Sequence, residues 1–535
     1  MIFTLHRYIF RELFKVFALS AVALTLMLSL GSVLRPIQEF GAGPRQVLYL
    51  IVYFLPITLT FVLPMAALFA ASLVYGRFAA DNELDACRAS GVSLLTLVYP
   101  GLSMAIMVAV ANLILSFYVM PVFIHRAEKT LRADAKQILF RNIRRTGYYK
   151  MPPDDRYRVY ADLVDVRNDL LLGVVITELK DNKIKSLITA KSARVYFDPH
   201  ERFNEVRITA YDVYQMGLEG EGGFYFEKLP VTAEFGSLLA DNIKFKKVDE
   251  MKKIRAEPIR FYPVARLARQ TCGQFTAELL VEDIASGIDA EPNKPYSLHS
   301  DTKRIEFIAA EAALSEERQV ELAGPVSVAE YDTTTGQLLR RLQALRARLH
   351  MEGDELAPTL TMELDNPTWR QLGGEEGMAA TRLRIRGLIL PESVTARFRT
   401  KNVLEAIRTD TVNAALANGP SSQLTALQER LKVCIAKTLV EIKAEIHSRL
   451  VFGIGCVAMI MVGIGLGIMF KDGHLLSAFG ASSVPAALLI ICIMAGKNVT
   501  KNPGVRINVG LLLMWGGLTL LCLLVAQIYR RLLKN

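Results

Sequence analysis

Six long runs without a charged side chain, three near each end, constrain the fold of this chain more than any other feature. They flank a polar middle that covers residues 125–449. A helix needs about 20 apolar residues to cross a bilayer core, and each run is long enough. Backbone amides cannot stay unpaired in lipid, so the runs are predicted to be helices. The six runs are Val16–Leu34, Gln46–Gly76, Ala89–Ile124, Leu450–Phe470, His474–Gly496 and Asn508–Tyr529.

Basic side chains at the two ends indicate how these spans are oriented. Those before the first run and after the last are Arg7, Arg11, Lys15, Arg530, Arg531 and Lys534. The positive-inside rule then places both termini in the cytoplasm and the middle outside, which is the periplasm of a Gram-negative cell. Lys497 and Lys501 after the fifth run oppose this orientation. The first run is too long for a cleaved signal peptide, so we expect a retained anchor.

The net charge of +10 does not indicate a nucleic-acid partner. The basic residues flank the spans, where lipid head groups explain them. The six cysteines and seven histidines show no metal-ligand spacing, and no catalytic group of residues is evident. Cys272 and Cys434 are the two cysteines of the middle, and in an oxidising compartment they could form a disulfide or remain thiols. We therefore predict a non-catalytic membrane protein without a metal or cofactor of its own.

The middle of the chain changes to short runs rich in Val, Ile, Thr, Tyr and Phe, separated by turn signals. Such spacing is typical of an antiparallel sandwich or jelly roll. The predicted fold class is therefore a six-helix membrane protein, three plus three, with an inserted periplasmic β jelly roll. The predicted segments are a membrane domain (1–124), a connecting helix (125–147), a β module (148–245), an insertion (246–303), a second β module (304–364), a mixed region with a helical stalk (365–449) and a second membrane domain (450–535).

The polar loop between the second and third spans is predicted to be a short helix, Asp81–Gly91. Asp81 or Asn82 can cap its start, because a side-chain oxygen there accepts from an unpaired amide. Acidic residues in its first turn suit the helix dipole, and Gly91 suits a left-handed C-terminal cap. This helix is either a docking element for a soluble partner or a capped connector without a partner. The residues alone do not decide between the two.

A specific pattern in this loop resembles the lipopolysaccharide-export permease family of the LptF/LptG type. The pattern has the form Glu-Leu-x-Ala-x-Arg-Ala-x-Gly-Val-Ser. It is carried here by Glu83, Leu84, Ala86, Arg88, Ala89, Gly91, Val92 and Ser93. The segments Arg158–Asp162, Ile188–Ala193 and Glu445–Arg449 are also similar to the family.

This resemblance implies a permease subunit that extracts lipopolysaccharide from the inner membrane. It implies a second permease subunit (a paralogue or a second copy) and a cytoplasmic ABC ATPase dimer that holds ATP and Mg, since this chain lacks a Walker loop. It also implies a periplasmic β jelly-roll bridge protein that accepts the lipid. The helix at 81–91 would be the coupling helix. Its expected ATPase contacts are Asp81, Glu83, Leu84, Ala86, Arg88 and Gly91.

An anionic, multi-acylated lipid needs an apolar wall with cations at the head-group level. Arg35 is well placed to contact a phosphate, with Arg45 as a lesser candidate; the alternative is ordinary snorkelling at a helix end. Two other functions stay open for the whole chain. One is a membrane-anchored scaffold whose β domain only binds partners. The other is a membrane-bound periplasmic enzyme.

Overall fold

The structure is a computed structural model in which the described residues form two compact units. The first unit comprises Met1–Glu257 and Lys437–Asn535, and the second comprises Pro258–Ala436. The described residues are 2–40, 44–133, 135–151, 157–166, 168–180, 183–199, 204–217, 224–235, 241–291, 294–315, 318–333, 335–353, 358–370, 376–377, 382–398, 402–470, 475–501 and 507–534.

Helices dominate the two ends of the chain. In chain order the α-helices are α1 (Ile2–Phe40), α2 (Pro44–Ala80), α3 (Glu83–Ala89), α4 (Leu94–Ile114), α5 (Met120–Ala133), α6 (Ala135–Thr146), α7 (Val248–Ala256), α8 (Tyr262–Ala290), α9 (Glu392–Thr395), α10 (Val403–Ala406), α11 (Thr409–Ala415), α12 (Ser422–Met469), α13 (Leu475–Lys501) and α14 (Ile507–Lys534). A π-helix, Leu115–Val119, joins α4 to α5.

Among the described residues, six helical segments are long and apolar enough to cross a membrane, which confirms the predicted three-plus-three arrangement. They are Phe3–Ser29, Ile51–Ala80, Leu94–Thr130, Ser422–Met469, Ser477–Lys501 and Asn508–Lys534. The most apolar windows of the second and fourth are 61% and 67% buried, against 11–33% for the others. The helices α2 and α12 therefore form the centre of this bundle, and the other spans surround them.

Small residues allow α12 to approach its neighbours closely. A Cβ atom added at Gly467 would lie 2.8 Å from the carbonyl oxygen of Ser72 on α2, and one added at Gly463 would lie 2.8 Å from Leu68. Added Cβ atoms at Gly453 and Gly455 would likewise collide with side chains of neighbouring spans. Helices in lipid associate through such tight van der Waals packing. The glycines of α12 are therefore packing residues.

The first unit carries a six-stranded antiparallel sheet, here called sheet A, in which each strand pairs with its neighbours in the chain. Its strands are β1 (Tyr148–Lys150), β2 (Tyr157–Asp165), β3 (Leu170–Lys180), β4 (Lys183–Pro199), β5 (Asn204–Gly217) and β6 (Phe224–Phe235). β5 buries Val206, Ile208 and Ala210 and then Val213, so the alternation shifts by one at Asp212. Asp212 has φ 52° and Gly173 has φ 60°, the left-handed conformations that accompany such local irregularities.

One face of sheet A is covered by α6. Leu139, Phe140 and Ile143 of this helix are almost completely buried and belong to the same apolar core as the strands. The helix is amphipathic, and its last turn carries Arg144 and Arg145. Because its apolar stripe needs a hydrophobic partner, α6 lies on the sheet rather than in solvent. The predicted connecting helix at 125–147 thus consists of α5, which continues the third span, and α6.

The second unit contains a larger sheet, sheet B. Its strands are β7 (Tyr296–His299), β8 (Lys303–Ile308), β9 (Glu311–Leu314), β10 (Val320–Asp332), β11 (Leu338–Gly353), β12 (Pro358–Asp365), β13 (Thr368–Arg370), β14 (Glu376–Gly377) and β15 (Arg382–Ile389). The pairings β10–β11–β12–β15–β7–β8–β10 form a closed cycle. Sheet B extends beyond the predicted range of 304–364: β7 precedes this range, and β13, β14 and β15 follow it. The pairing of β7 with β15 is long-range, so local periodicity does not reveal it.

The insertion predicted at 246–303 is mainly helical, since it contains α7 and the 29-residue helix α8. Cys272 lies buried on α8 and Cys434 lies on α12, and the two are not joined in a disulfide. The sequence leaves open whether this pair forms a disulfide or remains two thiols, and in the structure both residues are thiols.

Candidate functional site

The short polar helix α3 joins α2 to α4, and local backbone geometry ends it sharply. Gly91 has φ 84°, and its amide donates to the carbonyl oxygen of Arg88 over 2.9 Å. The next amide, Val92, donates to the carbonyl oxygen of Cys87 over 3.1 Å. These two bonds are those of a Schellman motif, which requires a left-handed residue. Gly91 therefore ends the helix as the sequence predicts, and Ser93 then caps α4 by accepting from the amide of Thr96.

The predicted side-chain cap at the start of α3 is wrong. Asn82 precedes the helix, but its side chain makes no capping hydrogen bond. Its backbone is left-handed, with φ 55° and ψ 15°, whereas a capping residue has an extended backbone that directs its side chain toward the first amides. The turn is held by backbone bonds instead, since the amide of Asn82 donates to the carbonyl oxygen of Ala79 over 3.2 Å.

The buried side chain of Leu84 anchors α3 to the membrane helices, and the partly buried Cys87 packs against the same core. Leu84 is 4% exposed and belongs to an apolar core that includes Phe78 and Ala79 of α2 and Leu97 and Val98 of α4. We expected Leu84 to offer a packing contact to a partner, and the structure corrects this expectation. The Leu84 side chain points into the bundle. Since it is the one buried residue of α3 (Glu83–Ala89), it holds this short helix in place.

The remaining predicted contact residues of this loop are exposed: Asp81, Glu83, Ala86, Arg88 and Gly91. Arg88 lies 3.9 Å from Asp85, and both side chains are about half exposed. Such a surface pair contributes about 0–1 kcal/mol to stability. Both side chains therefore stay available for contact with another protein. The loop and α3 therefore present an exposed patch that contains both acidic and basic side chains, on a helix that is anchored to the bundle.

The same end of the bundle contains the N-terminal part of α1. The imidazole Nε2 of His6 lies 2.9 Å from the carbonyl oxygen of Thr96 at the start of α4. Glu12 of α1 lies 3.4 Å from Arg77 of α2 and 2.8 Å from Lys15. These contacts tie α1 to both helices that flank α3.

The two predicted head-group residues, Arg35 and Arg45, lie on α1 and α2 respectively. Their side chains are outside the described part of the structure, so their contacts stay predictions. Among the residues that the structure describes, no group of three or more His, Cys, Asp or Glu side chains is placed to hold a metal ion.

A second cluster of charged groups includes Glu445 and Arg449, the two ends of a segment that resembles the family in sequence but for which the sequence predicts no role. Arg449 and Glu445 on α12 are each 5% exposed and pair over 3.1 Å. Glu445 also pairs with Lys497 of α13. The sequence signals are the family-like segment itself and the spacing of four residues between Glu445 and Arg449; the other partners could not be foreseen because they are distant in the chain.

Six spans, an inserted antiparallel β domain and an exposed polar helix between the second and third spans define a membrane permease rather than a soluble enzyme. The family model described as "Lipopolysaccharide export system permease LptF/LptG" matches residues 7–248 and 274–531. The chain belongs to this family, and it is an integral membrane protein and a non-catalytic transport subunit. A comparison with individual curated proteins gave no significant match.

Proposed function

We propose that this chain is one permease subunit of an ATP-driven exporter that extracts lipopolysaccharide from the bacterial inner membrane. The observation that carries the proposal is the family match, which covers both membrane halves and sheet A. The anchored and exposed helix α3 adds a physical route for coupling to a motor. This subunit carries no nucleotide chemistry itself in our proposal; ATP and Mg bind to a separate cytoplasmic ABC ATPase dimer.

The ATPase dimer binds the exposed face of α3. Glu83 and Arg88 supply opposite charges at the two ends of a seven-residue helix, and Ala86 between them leaves room for a groove wall. Helix-in-groove docking of this kind transmits motion from the ATPase only if α3 is fixed to the membrane helices that are to be moved. The burial of Leu84 between α2 and α4 meets that condition.

The proposed orientation places both termini and α3 in the cytoplasm and sheets A and B in the periplasm. The contact of His6 with Thr96 supports one part of it, because it puts the start of α1 and the start of α4 at the same end of the bundle. A cysteine introduced as Ala86→Cys in a variant lacking the native cysteines tests the orientation. It should react with a membrane-impermeant maleimide only after the cells are opened. Labelling in intact cells would contradict the proposal.

The lipid path begins at the membrane helices and ends at sheet A. Arg35 and Arg45 bind the phosphates, and a second permease subunit completes the cavity against exposed apolar side chains of α1 such as Leu19, Leu26 and Met27. Sheet A then receives the acyl chains. Within the described part of the chain its β6 strand pairs with β5 alone, and it carries Pro230, a residue that suits an edge strand. We assign this edge to strand addition by the β jelly roll of a periplasmic bridge protein.

Charge reversal on α3 tests the proposed function directly. The Glu83→Lys variant should insert into the membrane normally but lose co-purification of the ATPase, because the docking groove then faces a repulsive charge. Asp410→Lys is a matched control, since Asp410 is an exposed acid of the second unit, with a side chain 86% exposed. Undiminished capture of the ATPase by Glu83→Lys would contradict the docking role of α3.

Photocrosslinking tests the substrate. A crosslinking amino acid placed next to Arg35 should capture a lipid whose mass identifies lipopolysaccharide. Capture should fall when an ATPase variant that does not assemble with the permease is used. Capture of phospholipid alone would contradict the proposed substrate.

A further inference from the structure

The guanidinium group of Arg449 joins several separate parts of the first unit. Its Nη2 atom donates to the carbonyl oxygens of Lys244 and Lys246 over 2.7 and 3.4 Å. Its Nε atom donates to Glu445 over 3.1 Å. Its Cζ atom lies 5.5 Å from the centre of the Phe117 ring. The planar guanidinium group of arginine holds its donors in a fixed fork and can bind several acceptors at once. The ammonium group of lysine lacks this fixed geometry.

The carbonyl groups that Arg449 binds belong to the segment that follows β6, the last strand of sheet A. This segment, Asn242–Glu250, is here called the exit segment. Its short 3-10 turn, Ile243–Phe245, begins where the Asn242 side chain accepts from the amide of Lys244. Burial lowers the pKa of Lys244, and the nearby positive charge of Lys497 adds to that effect. The exit segment is partly buried: Ile243 is fully buried, whereas Asn242 and Asp249 are exposed.

Two further contacts fix the exit segment to the membrane helices. Phe245 packs against the buried pair Met120 and Ile124 of α5, a pair against which Phe54 and Ile57 of α2 also pack. Farther along, the Nε2 atom of His125 lies 3.5 Å from the carboxylate of Glu250. Sheet A begins after α5 and α6, which continue the third span. It is thus attached to the bundle at its start by the chain and at its end by the exit segment.

The third span is irregular at the point that Arg449 contacts. The π-helix Leu115–Val119 interrupts it, and Phe117 lies within this π-helix. Such segments are uncommon, and they occur frequently at functional sites because the extra residue disturbs the regular hydrogen-bond ladder. Glu445 extends the network in the other direction, since it pairs with Lys497 on α13. A change in the relative position of α12, α13 and the third span must therefore move the exit segment.

We propose that Arg449 is a positioning residue that transmits rearrangement of the membrane helices to sheet A during lipid hand-over. The inference rests on the proposed function. It assigns Arg449 a mechanical task distinct from binding a lipid phosphate, because its donors are directed to Glu445 and to two backbone carbonyls. The task depends on the shape of the guanidinium group and not only on its charge.

The test uses the complete transporter, with its ATPase and second permease subunit, in proteoliposomes. Two quantities are measured: ATP hydrolysis, and ATP-dependent transfer of lipopolysaccharide to a soluble periplasmic acceptor. The Arg449→Lys variant retains the positive charge but loses the planar set of guanidinium donors. We expect it to keep ATP hydrolysis within about twofold and to lose about tenfold in transfer, an effect of the size that misplacement of a positioned group produces. Arg408→Lys, at an exposed pair of the second unit, is the matched control.

A second variant reaches the exit segment without touching the charges. Phe245→Ala removes its packing on α5 and should show the same loss of transfer with retained ATP hydrolysis. Hydrogen exchange at residues 243–247 should rise in both variants while exchange in α3 stays unchanged. Normal transfer in Arg449→Lys would overturn the inference, and so would an equal fall of hydrolysis and transfer in both variants. Failure of the wild-type transporter to transfer lipid would instead contradict the proposed function.

Discussion

The hydroxyl group of Tyr75 on α2 donates to the carbonyl oxygen of Leu97 on α4 over 2.9 Å. The same hydroxyl oxygen accepts from the amide of Gly101 over 3.2 Å. In a regular helix, the amide of Gly101 pairs with the carbonyl of Leu97, so a side chain from the neighbouring span takes part in the hydrogen bonding of α4. A Cβ atom at Gly101 would lie 2.9 Å from this hydroxyl oxygen, which explains why glycine stands there.

Removal of the Tyr75 hydroxyl should loosen the connection between α2 and α4 just beyond α3. Tyr75→Phe leaves buried groups of α4 without this partner, at a cost of about 1–3 kcal/mol. We expect a lower melting temperature of the purified protein and weaker stimulation of the ATPase. Tyr99→Phe is the control, because Tyr99 is 60% exposed. An equal effect of the two substitutions would show that the bridging hydroxyl has no special role.

The anchor of α3 can be tested apart from its charged face. Leu84→Ala empties a buried site, which typically costs about 2–5 kcal/mol, so α3 should become mobile. ATPase capture should fall although every charged residue of the patch is intact. Leu84→Met, which conserves volume, should retain capture. Hydrogen exchange across Glu83–Ala89 measures the mobility; protection equal to the wild type in Leu84→Ala would contradict the anchoring role.

Close packing of α12 on α2 predicts a strong effect at Gly467. Gly467→Ala places a methyl group against the backbone of Ser72 and should destabilise the bundle by about 1–3 kcal/mol, as overpacking does. Gly516→Ala on α14 meets nothing within 4 Å and should be neutral or slightly stabilising. Size-exclusion profiles after heating measure the difference, and equal profiles would mean that the two helices separate easily.

Acid should weaken sheet B through Glu330, whose side chain is 1% exposed. Burial by itself would raise its pKa, but bonds to Lys303 and Arg340 outweigh this and hold the pKa below the ordinary value of 4.5. A lowered pKa in the folded state means that the ionised form stabilises the fold at pH above 4.5 and that this contribution is lost as the pH falls through the lower value.

Glu330→Gln should therefore raise hydrogen exchange in β10 at neutral pH, and the difference from the wild type should shrink as the pH falls through the lowered pKa of Glu330. Glu321→Gln is the control on the same strand, since Glu321 is half exposed and lies 4.0 Å from Arg348. A difference between Glu330→Gln and the wild type that is constant from pH 7 to pH 3 would exclude ionisation of Glu330 as its cause.

Much of the local structure of α3 could be predicted from local sequence. The short helix, its end at Gly91 and its polar surface all follow from neighbouring residues, and the structure places them there. The failed side-chain cap at Asn82 and the inward side chain of Leu84 could not be foreseen. Both depend on the angle at which α2 and α4 meet the loop, and that angle is set by packing among spans distant in sequence.

The sequence by itself determined the six membrane helices, the β insertion between them and the family pattern of the second loop. Each of these is encoded in local composition, since uncharged length, alternation and turn residues act over short distances. Only the tertiary structure decided the Tyr75 bridge, the closed cycle of sheet B and the attachment of the exit segment to Arg449. Those depend on which surfaces bury one another, because a buried hydrogen bond or ion pair forms only where folding brings distant groups together and removes water from them.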